Sequence, residues 1–137
     1  MSLINFSGLN WLAMLVSLIA GMLAWTIISM PFKKIFLSAG VTEEEFNKYN
    51  KSGRAWIIGF ITQIIAVIIL ALLINGFGIT DIGTAVVFVV LVGISFVLCQ
   101  TINIDQMYKR PLSYTILNVV LFLAAFITHA IVLVLWN

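Results

Sequence analysis

A single histidine, His129, stands in a run without Asp, Glu, Lys or Arg that begins at Pro111 and reaches Asn137. An ionisable side chain in such a run is a functional candidate, because hydrocarbon gives its charged form no solvation. Proton handling, or ligation of a metal or haem, is the chemistry an imidazole offers there. The structural alternative is a neutral ring hydrogen-bonded to Ser17 or to a backbone carbonyl. Two-histidine haem ligation would require a homodimer, since each copy supplies one ring. Other polar side chains in apolar surroundings are Ser29, Gln63, Gln100 and Asn103 at i and i+3, and Tyr114 and Asn118 at i and i+4. On helices they are expected to share one layer toward the basic end of the molecule. Amides in hydrocarbon must find partners, and each bond between helices is worth about 0.6 kcal/mol on average. The layer therefore serves either as interhelical glue or as the wall of a small polar cavity.

Several chemistries lack their residues. A phosphate-binding glycine loop and a His-Glu-x-x-His helix are missing. Cys99 is the one cysteine, so the chain alone builds neither a disulfide nor a cysteine-ligated metal site. No carboxylate is expected inside a membrane-crossing segment, which argues against a proton-coupled exporter built on a membrane glutamate. Nucleophilic catalysis would have to pair a Ser or Thr with His129, and no spacing supports that pairing. Glu43, Glu44 and Glu45 are consecutive, so on a helix they point to different sides and suit a helix start rather than a metal. No catalytic residue, metal or cofactor is assigned.

The elements that must position these side chains follow from hydropathy. The chain is 63% hydrophobic and 9% charged, against about 25% charged in ordinary soluble domains, and its mean hydropathy is +1.19. Charged residues are missing from 1–32, 55–80, 82–104 and 111–137. Each run can hold the roughly 20 apolar residues that a helix needs to cross hydrocarbon. The expectation is an all-α integral membrane protein: an antiparallel four-helix bundle with spans near 9–30, 55–75, 82–103 and 112–136, forming one domain over 1–137. A short interfacial helix is expected in the 31–54 loop. Thr42 caps its start and Glu45 reaches back, giving either a helix to about Asn50 or one that runs on into the second span. Pro31 closes the first span, Asn75, Gly76 and Gly78 make the second turn, Thr80 or Asp81 caps the third helix, and Pro111 suits the first turn of the fourth.

All seven basic residues, Lys33, Lys34, Lys48, Lys51, Arg54, Lys109 and Arg110, fall in the first and third connections. Short loops rich in Lys and Arg stay in the cytoplasm. Both termini are therefore expected outside it, with the chain in the cell membrane. Trp11 and Trp136 sit near the outer ends of their helices and Trp25 and Trp56 near the cytoplasmic ends, as indole prefers the interface. Small residues mark close packing in lipid. Ser17, Ala20, Gly21 and Ala24 form such a stripe on the first helix, Ala124, Ala125 and Thr128 another on the fourth, and Gly59 and Gly93 allow close approach by the other two.

Asn10-Trp11, Trp25, Phe32-Lys33-Lys34, the stretch from Gly40 to Glu44, the glycine-containing outer turn and Asn118 together make the chain similar to the bacterial four-helix membrane proteins known as domain of unknown function 1761. Members tend to carry an aromatic pair after the first-helix tryptophan, where this chain has Thr26 and Ile27. They often have a histidine shortly after the asparagine, where it has Phe122. The resemblance implies the four-helix architecture and no activity. The functional expectation is a non-enzymatic, oligomeric membrane module whose partners are the bilayer and a second copy or another membrane protein, with no nucleic acid. The alternatives are a channel or carrier for a small neutral solute, through Gln63, Gln100 and Asn118, and a haem or redox protein using His129.

Overall fold

The computed structural model of the chain describes residues 8–136. The expected domain of 1–137 extends beyond them, with 1–7 and 137 outside the described residues. Helix α1 (Trp11–Ser29) begins where the Asn10 side chain accepts the Ala13 N–H at 3.0 Å, satisfying one of the amides a helix start leaves free. Its course does not stop at Pro31. A 3-10 turn over Met30–Phe32 absorbs the proline, which has no N–H to give, and α2 (Lys33–Ser38) carries the axis on. The result is 28 helical residues, Trp11–Ser38, where the composition predicted a span closing near residue 30.

Helix α3 (Glu43–Lys51) starts with the expected capping box: the Glu45 N–H donates to Thr42 Oγ1 at 3.1 Å, and the Thr42 N–H donates to Glu45 Oε2 at 2.9 Å. It does not run on into the second span. Ser52 turns extended (ψ 109°) and its Oγ accepts the Ala55 N–H at 3.3 Å, so α4 (Gly53–Gly76) opens with its own cap. Lys33 and Glu43 meet at 2.6 Å, and the Phe36 and Phe46 rings lie 5.9 Å apart, holding α3 against α2.

At the far end of α4, Gly78 adopts φ +63°. The Ile79 N–H donates to Ile74 O and the Gly78 N–H to Asn75 O, the pair of bonds that ends a helix on a left-handed residue. Asp81, not Thr80, then caps α5 (Ile82–Val92), its Oδ1 accepting the Thr84 N–H at 2.8 Å. The third span continues through a π segment at Gly93–Leu98 into α6 (Cys99–Met107), 26 residues in all. That is four residues longer than the run of 82–103 suggested. Pro111 stands one place outside the last helix, as the N-cap of α7 (Leu112–Leu135).

Four helical stretches are thus long and apolar enough to cross a membrane, and no strand occurs among the described residues. Helix α7 is the hub, with α1, α4, α5, the π segment and α6 all packed on it. Asn10 Nδ2 donates to the Trp136 carbonyl at 2.8 Å and Asn75 Nδ2 to the Gly8 carbonyl at 3.4 Å, so both described chain ends and the α4–α5 turn share one end. Lys and Arg all collect at the other. Leu12, Leu15, Ile19, Leu23 and Ile27 on α1, and Ile57, Ile61, Ile65 and Ile69 on α4, face outward. A continuous apolar exterior of this kind is what lipid tolerates and water does not. Trp11, Trp56 and Trp136 are exposed near helix ends, whereas Trp25 packs edge-on against Phe122 at 5.2 Å.

Candidate functional site

Helices α1, α4 and α7 bring three side chains together in the interior. His129 is fully buried, its Nδ1 2.9 Å from the Ser17 carbonyl oxygen and its Nε2 3.1 Å from Gln63 Oε1. A carbonyl can only accept, so Nδ1 carries a hydrogen and donates it to Ser17 O. The Ser17 hydroxyl lies 3.0 Å from the same nitrogen and donates to the His129 carbonyl at 3.3 Å. Gly21 supplies the room: a Cβ there would meet Cε1 and lie 2.6 Å from Nε2 and 2.7 Å from Nδ1. Of the small-residue stripe, Ser17 and Gly21 are buried against α7, and Ala20 and Ala24 are half-buried. Ala125 is fully buried, and Thr128 Oγ1 donates to its own helix at Ala124 O.

The Ser17–His129 approach has the distance of a nucleophile and base but not the chemistry. The nitrogen near the hydroxyl already bears a proton aimed at a carbonyl, and a base must offer a lone pair. Both residues are sealed from solvent, which leaves a substrate no approach. Ligation of haem or a metal by Nε2 would first have to displace Gln63. No group of three His, Cys, Asp or Glu side chains suited to a metal ion occurs among the described residues.

The remaining polar residues do not assemble into one layer. Ser29 Oγ donates to Thr26 O within its own helix, and Asn118 is half-buried. Gln100 and Asn103 are exposed on the outside of the bundle. The π segment accounts for that. The buried face of α5 runs Ala85, Val89, Gly93, and a straight α-helix would next bring Gln100 inward, seven residues on. The wide turn holds back about 100° of rotation, one residue's worth. The interior face therefore resumes through the half-buried Val97 and Thr101 to the buried Asp105, with Gln100 and Asn103 turned away. Gly93 lets α7 come close, since a Cβ there would meet Leu123 Cδ2, whereas the space beside Gly59 is open.

Asp105 was not foreseen. It lies within the third membrane-length stretch, Ile82–Met107, two residues past the expected span of 82–103, and is 2% exposed, so the expectation of no carboxylate in a membrane-crossing segment does not hold for that stretch. Thr115 Oγ1 donates to its Oδ2 at 2.7 Å, and Arg110 Nη1 approaches Oδ1 at 3.4 Å. The same guanidinium donates to the Tyr114 hydroxyl at 3.2 Å and lies 4.9 Å from that ring's centre. Tyr114 in turn meets Phe36 edge-on at 5.8 Å, joining the start of α7 to α2. The Arg110 N–H donates to Asp105 O at 2.9 Å around Lys109, which adopts φ +53°. A carboxylate followed five residues later by arginine, across a helix end, was the available signal; the uncharged run stopping at Ile104 obscured it.

Three membrane-length helical stretches packed on a fourth, α7, with a sealed histidine at one level and a sealed carboxylate near the basic end, define a small helical protein of the multi-pass type. The chain belongs to the family described as Protein of unknown function (DUF1761), whose pattern matches residues 11–134, nearly its whole length. No curated protein and no solved structure matches it.

Proposed function

We propose that the chain is an integral membrane protein, seated in a bacterial inner membrane with both termini outside the cytoplasm, that works as a non-enzymatic module by associating with a second copy of itself. The orientation rests on the seven basic residues at one end of the bundle and on the tendency of such loops to remain cytoplasmic.

The observation that carries the association is the outer face of the third span, where Ser95, Cys99, Gln100 and Asn103 are exposed. Amides turned toward lipid gain by meeting partners. A carboxamide both donates and accepts, so the same face of a second copy satisfies it. Particle mass in detergent, after subtraction of bound detergent, should correspond to a dimer or larger assembly. Gln100→Leu combined with Asn103→Leu should shift it to monomer, and oxidation of native Cys99 in membranes should give a covalent dimer. A wild-type protein that is monomeric in the bilayer overturns the reading.

A further inference from the structure

We propose that His129 is a proton-binding site in the interior of the bundle, with the added proton held between its Nε2 and the side-chain amide of Gln63.

The argument starts from the two oxygens that face the ring. Ser17 O, at 2.9 Å, accepts from Nδ1, which fixes that hydrogen in every protonation state. Gln63 Oε1, at 3.1 Å, faces Nε2, and an acceptor there calls for a second ring hydrogen. Both nitrogens facing oxygen is the surrounding that an imidazolium requires. A neutral ring needs a donor opposite Nε2 instead, and a glutamine supplies one by turning its amide over, since the oxygen and the NH2 group occupy nearly the same space. Gln63 thus serves both states of the ring without moving a helix. Leucine would serve neither, and glutamate would favour the charged form alone.

The surroundings leave this exchange to dipoles. Helix α1 carries no ionisable group, and α4 carries only Arg54, nine residues before Gln63. On the third span, Cys99 faces outward and Asp105 is bound to Thr115 and Arg110. On α7, Tyr114 is bound to Arg110, fifteen residues from His129 and about 22 Å along the axis. No charge faces the ring from any element packed on it. Gln63 is half-buried while Ser17 and His129 are sealed, so the amide is the ring's polar partner nearest the surface of the bundle.

With one histidine in the chain, protein labelled with ¹⁵N-histidine gives a single pair of ring resonances in lipid nanodiscs. A titration from about pH 8.5 to about pH 4.5 brackets the ordinary imidazole range. At the alkaline end the Nδ1–H tautomer is expected, and on acidification Nε2 also becomes N–H. Gln63→Leu should weaken proton uptake at least about tenfold, equivalent to about one pH unit, and Gln63→Glu should strengthen it. An Nε2–H tautomer at alkaline pH in the wild type overturns the proposal without need of a variant. So does a ring that stays neutral throughout, or uptake that is the same in Gln63→Leu.

Discussion

The His129 ring fills the space that a side chain on Gly21 would need, with both its nitrogens within 2.7 Å of where that Cβ would lie. Two helices more than a hundred residues apart in sequence are therefore fitted at one point by a missing methyl group. Substitution Gly21→Ala must displace the ring, break its bond to the Ser17 carbonyl, or push α1 off α7. Overpacking of this kind costs about 1–3 kcal/mol. Unfolding in mixed micelles by increasing SDS should show that loss, while Ala24→Gly should change stability far less.

The Asp105–Arg110 pair is asymmetric, with side-chain exposures of 3% and 36%. Arg110→Gln leaves a buried carboxylate with Thr115 as its remaining side-chain donor, whereas Asp105→Asn leaves a cation that can turn to water. Exposed pairs contribute about 0–1 kcal/mol, and removing one partner of a buried pair costs about 3–5 kcal/mol. Arg110→Gln is expected between these, near 2 kcal/mol, and Asp105→Asn nearer 1 kcal/mol. The order matters more than the sizes: the opposite ranking in the same unfolding assay would show that the cation is the buried partner.

Lys109 is the described non-glycine residue with positive φ, at +53°, and it ends α6 in the way Gly78 ends the α4–α5 turn. The left-handed conformation costs an L-residue about 1–2 kcal/mol, which glycine avoids at some entropic expense. Lys109→Gly should therefore raise stability by up to about 1 kcal/mol, measured against Lys109→Ala, which keeps the strain.

The capping of α3 is sensitive to acid. Glu43 is held below the usual glutamate range by the Lys33 ammonium that donates to it, and Glu45 by the Thr42 N–H and then the Thr42 hydroxyl. Both groups bind protons less readily when folded, so their contribution is complete above the ordinary glutamate range and is lost as pH falls through the lowered values. Amide exchange over Glu43–Lys51, corrected for the intrinsic pH dependence, should speed up selectively below that range. Thr42→Ala should show the faster exchange already at neutral pH.

Much of the architecture was legible because apolar segments of membrane-spanning length leave the backbone so few options. Uncharged runs of membrane length, tryptophans near helix ends, and lysines and arginines confined to two connections carry their meaning without tertiary context. The capping box at Thr42 and Glu45 and the cap at Asp81 are equally local, since a helix end needs acceptors within three residues. Helix ends were less legible: Pro31 could be absorbed by a 3-10 turn and Asp105 by a buried partner, and neither outcome is written in hydropathy.

The amino-acid order by itself determined how many helices there are, roughly where they run and at which end the positive charge collects, because backbone satisfaction in an apolar medium is settled within each segment. Only the tertiary structure decided which polar groups meet. Gln63 reaches His129 because α4 and α7 pack at that level, and Gln100 and Asn103 turn outward because a π turn beside Leu123 rotates everything after Gly93. Pairings across helices depend on rotation about each axis, and a single added residue in a turn changes it by more than any periodicity can anticipate.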